Sequence, residues 1–402
     1  MPDNGSLVLT NCSQVLTMTG TGLGMVENAT VRVKDGRIVE VGGPGLGHGP
    51  VADIDCRGRV VMPGFVDPHT HLVFGGWRAE EFELRLAGRT YKEIAQAGGG
   101  ILSTMKATRA ASEDELYESA LDRLHEMTCW GTTTVEVKSG YGLDTETEMK
   151  MLRVARRLDE TGLATVVPTF LGAHSVPAGW AKSDYIRLLT DEMIPAVAGA
   201  GLARFCDVFC ENFVFDAAES TMILEAGKKH GLLPTVHADE IESSGGAEVA
   251  ARVGAVSASH LLQPSDAGLR AMMEAGVVAV LLPGTCFFLR EAHRSPVARM
   301  RELGILMAVA TDFNPGSCTL LAQPLAAQLA CIHYGLTIEE ALRGITVNAA
   351  RALQLEAGTI EPGHWADLVV TNVPDYRHLI YRLGHNPVRF TIRRGRVVCD
   401  NS

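Results

Sequence analysis

The 402-residue chain has no Cys-x-x-Cys pair and no basic cluster, and no apolar stretch near the ~18 residues needed to span a bilayer. Each absence closes a class of function. Nine cysteines, an odd number scattered singly (Cys12, Cys56, Cys129, Cys206, Cys210, Cys286, Cys318, Cys331, Cys399), disfavour a disulfide framework and a cysteine zinc site. They predict reduced thiols in a cytoplasmic protein. A formal net charge of -11 with no opposing basic patch excludes a nucleic-acid footprint. Met1-Pro2-Asp3-Asn4-Gly5 has no basic segment ahead of its apolar run, so a secretory leader and a membrane partner are not expected. No Gly-x-Gly-x-x-Gly turn follows a strand pattern, which removes the usual nucleotide site. Linkers, repeats and low-complexity tracts are missing as well.

What is present reads as an ordinary globular enzyme with a large core, 46% hydrophobic and 21% charged. Both ends are β-like. Leu7-Val8-Leu9-Thr10 is an apolar run, residues 29–33 alternate, and Lys34-Asp35-Gly36-Arg37 makes a turn before 38–41. Near the other end, 367–370 and 390–393 precede a turn at Arg394-Gly395 and a last run at 397–398. Neither end alone buries much surface, so they are expected to pack together as one small β domain, 1–61 with 356–402. Independent hairpins are the alternative.

Between them, residues 62–355 alternate apolar β runs with helical periodicity. Strands are predicted at 64–71, 132–138, 165–174, 205–211, 234–239, 256–260, 277–282 and 306–312. Amphipathic helices are predicted at 113–127, 145–160, 217–230 and 264–275. About eight such units give an α/β fold, a (β/α)8 TIM-type barrel carrying a small β-sandwich domain. An open doubly wound sheet is the rival, without a nucleotide turn to support it.

Chemistry-bearing residues recur where these strands end, the side on which barrel active sites lie. His69-Thr70-His71 closes the first, His174 the third, His237 the fifth, His260 the sixth and Asp312 the eighth. Side chains two apart on a strand share a face, so His69 and His71 project together. Singly, each is as well explained by a hydrogen-bonded core histidine or a capping aspartate; together they form a pattern. Three imidazoles and one carboxylate suit one zinc or iron ion with a position left for water, whose pKa the ion lowers. The expected ligands are therefore His69, His71, His237 and Asp312. Glu240, three residues past His237, is placed to act as general acid or base.

At this point the residues resemble the amidohydrolase superfamily. The His-x-His on the first strand, the histidines on the fifth and sixth, the aspartate on the eighth and the two-ended β domain all match. Binuclear members bridge two metals with a modified lysine or a glutamate on the fourth strand. Here that strand has no lysine and ends at Glu211, while Lys138 sits on the second. The resemblance is thus to a mononuclear member. Longer strings are more specific: Phe74-Gly75-Gly76-Trp77-Arg78, Leu86-Ala87-Gly88-Arg89-Thr90-Tyr91, Glu136-Val137-Lys138-Ser139-Gly140-Tyr141-Gly142-Leu143, and Thr311-Asp312-Phe313-Asn314-Pro315-Gly316-Ser317.

They resemble the branch that hydrolyses 4-imidazolone-5-propanoate to N-formimidoyl-L-glutamate in histidine degradation. Carried over residue by residue, the likeness implies substrate contacts from Arg78, Tyr141, His174 and Glu240. It also implies contacts to substrate or product from Asn314, Gly316 and Ser317. Proton transfer and oxyanion stabilisation would fall to Glu240, His260 and Asp312. A deaminase of a cytosine- or guanine-like base would use the same ligands and stays the alternative. A barrel that only binds a metal or a partner is the non-enzymatic reading. A homodimer is the default assembly on symmetry grounds.

Overall fold

A computed structural model describes residues 5–43, 52–89, 93 and 99–402, so Thr90 and Tyr91 of the quoted string lie outside the described residues. Two sheets organise the chain. The terminal runs pair in one seven-stranded sheet. It takes β1 (Leu7–Leu16), β2 (Met25–Lys34), β3 (Arg37–Gly42) and β4 (Ala52–Pro63) from one end. From the other come β13 (Leu368–Thr371), β14 (Val388–Arg393) and β15 (Arg396–Asp400). The strand order is β15-β14-β13-β4-β1-β2-β3, so β4 and β13 join the two ends of the chain. Two tight turns explain the hairpins. Asp35-Gly36 and Arg394-Gly395 both take positive φ (51° and 76°, 47° and 72°), the backbone that fits the twist of antiparallel strands. Alternation then buries Leu7, Leu9, Val31, Val33, Leu368, Val370 and Ile392 in one cluster.

The middle forms an eight-stranded parallel sheet in sequence order. Its strands are β5 (Phe65–Asp67), β6 (Thr132–Lys138), β7 (Thr165–Ala173), β8 (Phe205–Cys210), β9 (Leu233–Ala238), β10 (Ser257–His260), β11 (Val278–Leu281) and β12 (Met307–Val309). Helices connect them. Glu113–Cys129 starts with a capping box in which Ser112 and Glu115 satisfy each other's backbone N–H. Thr145–Glu160 covers the residues its periodicity predicts, burying Met151, Leu152, Ala155 and Leu158 on one stripe. Near the strand starts, Val66, Val167, Phe205, Val278 and Val280 pack against Ala349, Ala350 and Leu353, which plugs that end of the barrel with apolar side chains. The polar residues are left for the other end. Among the described residues no helix is long and apolar enough to cross a membrane.

Three expectations need correction: the eighth strand ends at Val309 rather than at residue 312, so Asp312 lies in the loop beyond it. The first strand stops at Asp67 rather than running to residue 71, so His69 and His71 are not strand residues. Pro68 has no N–H to give to a ladder, which ends the pairing there. Their convergence comes instead from a parallel bridge between Thr70 and Phe313. The thiols are also not all reduced: Cys129 and Cys399 form a disulfide across 270 residues. Spacing cannot reveal a pair so distant. The disulfide links the helix Glu113–Cys129 to β15; Thr391 on the adjacent β14 and Asn401 just past β15 also donate to the last helix carbonyls, Thr128 O and Cys129 O, at 2.7 and 2.8 Å.

Denatured without reductant, the chain should therefore show seven alkylatable thiols by mass spectrometry, and all nine cysteines after reduction. Replacing Cys129 and Cys399 by Ser should cost ~2–4 kcal/mol in denaturant unfolding. Nine free thiols before reduction would disprove the cross-link.

Candidate active site

The polar end of the barrel gathers the predicted residues. Nitrogen atoms of His69, His71 and His237 all lie within 4.8 Å of one another, and all three side chains are buried. Asp312 Oδ1 is 3.5 Å from His69 Nε2 and 3.7 Å from His71 Nε2. The seam that closes the barrel sets this geometry. Asp312 N donates to His69 O at 3.1 Å and His71 N to Phe313 O at 2.8 Å. Asp67 accepts from the Thr311 hydroxyl at 2.6 Å, tying the two loops again just below.

Each group is then oriented by a neighbour. His69 Nδ1 is 2.9 Å from Ser259 Oγ, which leaves Nε2 aimed at the cluster. Thr285 Oγ1 donates to Asp312 Oδ2 at 2.6 Å, so only Oδ1 faces the histidines. His237 Nδ1 approaches Asp207 Oδ2 at 3.1 Å, close but not aligned as a hydrogen bond. The Nε2 atoms of His69 and His237 are buried without a hydrogen-bond partner among the described residues. Leaving such atoms unsatisfied costs ~1–3 kcal/mol each. Imidazoles and a carboxylate converging with free nitrogens fit a divalent metal ion.

The charge states suit that use. Burial, and then mutual repulsion with neighbouring charges, holds the imidazoles of His69, His71 and His260 well below their ordinary pKa, so they are neutral lone-pair donors. Burial pushes the Asp312 carboxyl up to about 6 against the Thr285 hydrogen bond. For Asp207, burial would raise the value, but the Lys138 ammonium and His237 outweigh it and keep the carboxylate ionised.

Around this centre, Glu240 Oε2 lies 3.4 Å from His260 Nε2, and burial followed by the Asp312 charge pushes the Glu240 carboxyl well above its ordinary range. His174 stacks on His71 with ring centroids 5.1 Å apart, and Tyr141 is 5.4 Å from His174. His174 Nδ1 is 3.0 Å from Gly140 O; burial takes its pKa down to about 3, so the ring is neutral and Nε2 carries the free lone pair. Arg78 Nε donates to Glu81 at 2.8 Å, leaving the two Nη groups as a fork beside Gly316. A Cβ on Gly316 would collide with that fork. Asn314 is placed differently from a free contact residue. Its Nδ2 donates to Asp312 O and Ser317 Oγ, and its Oδ1 accepts from Gly316 N and Ser317 N, so its amide is spent on shaping the loop.

Sequence reasoning missed the residues that hold these groups. Glu148 accepts N–H bonds from Gly140, Gly142 and Leu143 at 2.9, 2.8 and 2.8 Å and so fixes the loop bearing Tyr141. Glu211 accepts from Glu240 N, Ile241 N and Ser244 Oγ at 2.8, 2.9 and 2.6 Å, holding the Glu240 loop. Glu136 and Lys138 on β6 and Asp207 on β8 are buried. A signal for two of them was present, since Glu136 and Lys138 alternate with Val135 and Val137 and must share one face.

A model described as the amidohydrolase family matches residues 60–398. The imidazolonepropionase of Geobacillus sp. (strain WCH70) is 47% identical, over 98% of this chain and 97% of its own length. That of Geobacillus kaustophilus (strain HTA426) is 49% identical, over 94% of this chain and 92% of its own. Among solved structures, a 5-methylcytosine deaminase from Klebsiella pneumoniae bound to phosphonocytosine superposes with a TM-score of 0.74, covering 98% of both chains at 19% identity. That last likeness speaks for the fold alone.

The three-bond cradle makes a clear expectation. Glu148→Gln should lower stability by about 1–3 kcal/mol in denaturant unfolding, because one amide N–H would face backbone donors. Unchanged stability would mean that the loop is held by other contacts.

Proposed function

Since the chain belongs to the amidohydrolase family and, within it, to the imidazolonepropionases, we propose that the His69, His71, His237 and Asp312 cluster holds one zinc or iron ion and serves ring opening of 4-imidazolone-5-propanoate. The observation carrying this reading is the convergence of those four side chains beside an arginine fork, in a chain alike over nearly its whole length to proteins of that name. Overall, water adds to the ring carbonyl carbon, the bond from that carbon to the ring nitrogen breaks, and the nitrogen leaves protonated. The product is N-formimidoyl-L-glutamate. A bound divalent ion supplies Lewis acidity for this at neutral pH.

The side chains divide the remaining work. Arg78 meets the propionate through its two Nη groups, a fork-to-carboxylate match that also sets orientation. Gly316 leaves room for that fork, and Ser317 lines the same loop. Tyr141 adds a hydroxyl donor; burial raises its pKa, so it stays protonated. His174, neutral and with Nδ1 occupied, offers Nε2 to a ring N–H. Asp312, its carboxyl pushed up to about 6 by burial, takes a proton from the attacking water. Glu240 delivers one to the departing nitrogen, its raised pKa favouring the protonated form before transfer. His260, 3.4 Å from Glu240, donates toward the oxyanion that forms at the carbonyl.

The decisive measurement is turnover of imidazolonepropionate, followed by loss of its ultraviolet absorbance, on protein of known metal content. Rate should scale with bound metal, and chelation should abolish it. Ammonia release from cytosine or guanine, with no turnover of imidazolonepropionate, would establish the deaminase alternative instead. Glu240→Gln should reduce kcat by ~10²-fold or more with metal retained. Arg78→Met should raise KM by ~10–100-fold, the equivalent of ~1.5–3 kcal/mol for a charged hydrogen-bonded pair. Wild-type kinetics in either variant would remove that residue from the scheme.

A further inference from the structure

Beneath the histidines lies a buried charged group that the ring-opening chemistry leaves unused. Lys138 ends β6 with its side chain 2% exposed, and its Nζ lies 2.6 Å from Glu136 Oε1 and 2.7 Å from Asp207 Oδ2. Both carboxylates reach on toward the centre. Asp207 Oδ2 is 3.1 Å from His237 Nδ1. Glu136 Oε2 accepts from Thr70 N at 3.3 Å, and Glu136 O accepts from Thr70 Oγ1 at 2.6 Å. Lys138 N donates to Thr70 O at 2.9 Å. Thr70 is the residue between His69 and His71. One ammonium group thus links the carboxylate beside His237 to the peptide that carries the other two histidines.

A lysine acting as ligand or nucleophile needs a neutral, accessible amine. Two carboxylates at these distances, in a site closed to water, keep Lys138 charged and enclosed. Burying such a charge is costly, and removing one partner of a buried ion pair strands the others. Carboxylates behind ligating histidines are a general means of fixing tautomer and ring orientation.

We propose that Lys138 is the positioning residue of the metal centre, acting through Asp207 to present His237 Nε2 and through Glu136 to hold His69 and His71 in register. The proposal rests on the ligand assignment made above. Lys138 and its two carboxylates touch neither the metal nor the substrate; they set metal affinity.

Zinc affinity is the direct test, measured on the full chain after metal stripping, by competition with a chromogenic chelator. Asp207→Asn and Lys138→Met should each weaken zinc binding by ~10–100-fold. The double variant should lose less than the two single losses combined, since both changes act on His237 through the same Lys138–Asp207 pair and neither of its members is then left charged without the other. The visible spectrum of the cobalt-substituted protein should shift in Asp207→Asn at saturating cobalt, a change that mere loss of stability would not produce. If Lys138→Met fails to fold, Asp207→Asn alone decides. Wild-type zinc affinity and cobalt spectrum in Asp207→Asn, with His237→Ala weakened, would overturn the positioning role. Wild-type affinity in His237→Ala would instead show that the ligand assignment itself had failed.

Discussion

Barrel closure is the constraint on which the site depends. The first and last strands, β5 and β12, are each three residues long, and the chain segments beyond them meet through backbone bonds between His69–His71 and Asp312–Phe313. The same residues that shut the sheet therefore carry two imidazoles and a carboxylate. A shift of this seam by one residue would move every one of these groups. Asp67 braces the seam from beneath through Thr311, and apolar packing at the opposite end keeps the barrel from opening there.

Buried carboxylates repeat this logic around the rim. Glu148 gathers the N–H groups of the Tyr141 loop, and Glu211 those of the Glu240 loop. Asp239 collects those of Ser244, Gly246 and Ala247. Each replaces water as the partner of loop backbone that must lie inside the protein, where unpaired N–H groups are costly. The outcome is a set of short loops held rigidly enough to aim side chains at one point. Glu211, the glutamate at the end of the fourth strand that could have bridged two metals, is consumed by this task, since both of its oxygens are engaged by the neighbouring loop.

Electrostatically the site is assembled from groups whose ordinary charge is suppressed or compensated. Burial holds His69, His71, His174 and His260 neutral and raises Asp312 and Glu240, while Asp207 stays ionised beside Lys138. Neutral imidazole nitrogens and protonatable carboxyls thus stand side by side at the polar end of the barrel.

How much could be read beforehand follows from the range of each interaction. Local patterns gave the barrel strands, the helix Thr145–Glu160 and the Asp-Gly and Arg-Gly hairpin turns, because periodicity and turn chemistry act over a few residues. The candidate site residues were legible as polar groups recurring where apolar strands end. The contacts that set them were not. Ser259 behind His69 is 190 positions away, and Thr285 behind Asp312 is 27; the 270-residue disulfide span leaves no mark in cysteine spacing. Sequence alone therefore determined which chemistry the chain could carry and on what scaffold. Tertiary structure decided which oxygen of Asp312 faces the histidines, which nitrogen of His69 is free and which groups Lys138 and Glu211 bind. Those are matters of distance and direction between remote segments, which only the closed barrel specifies.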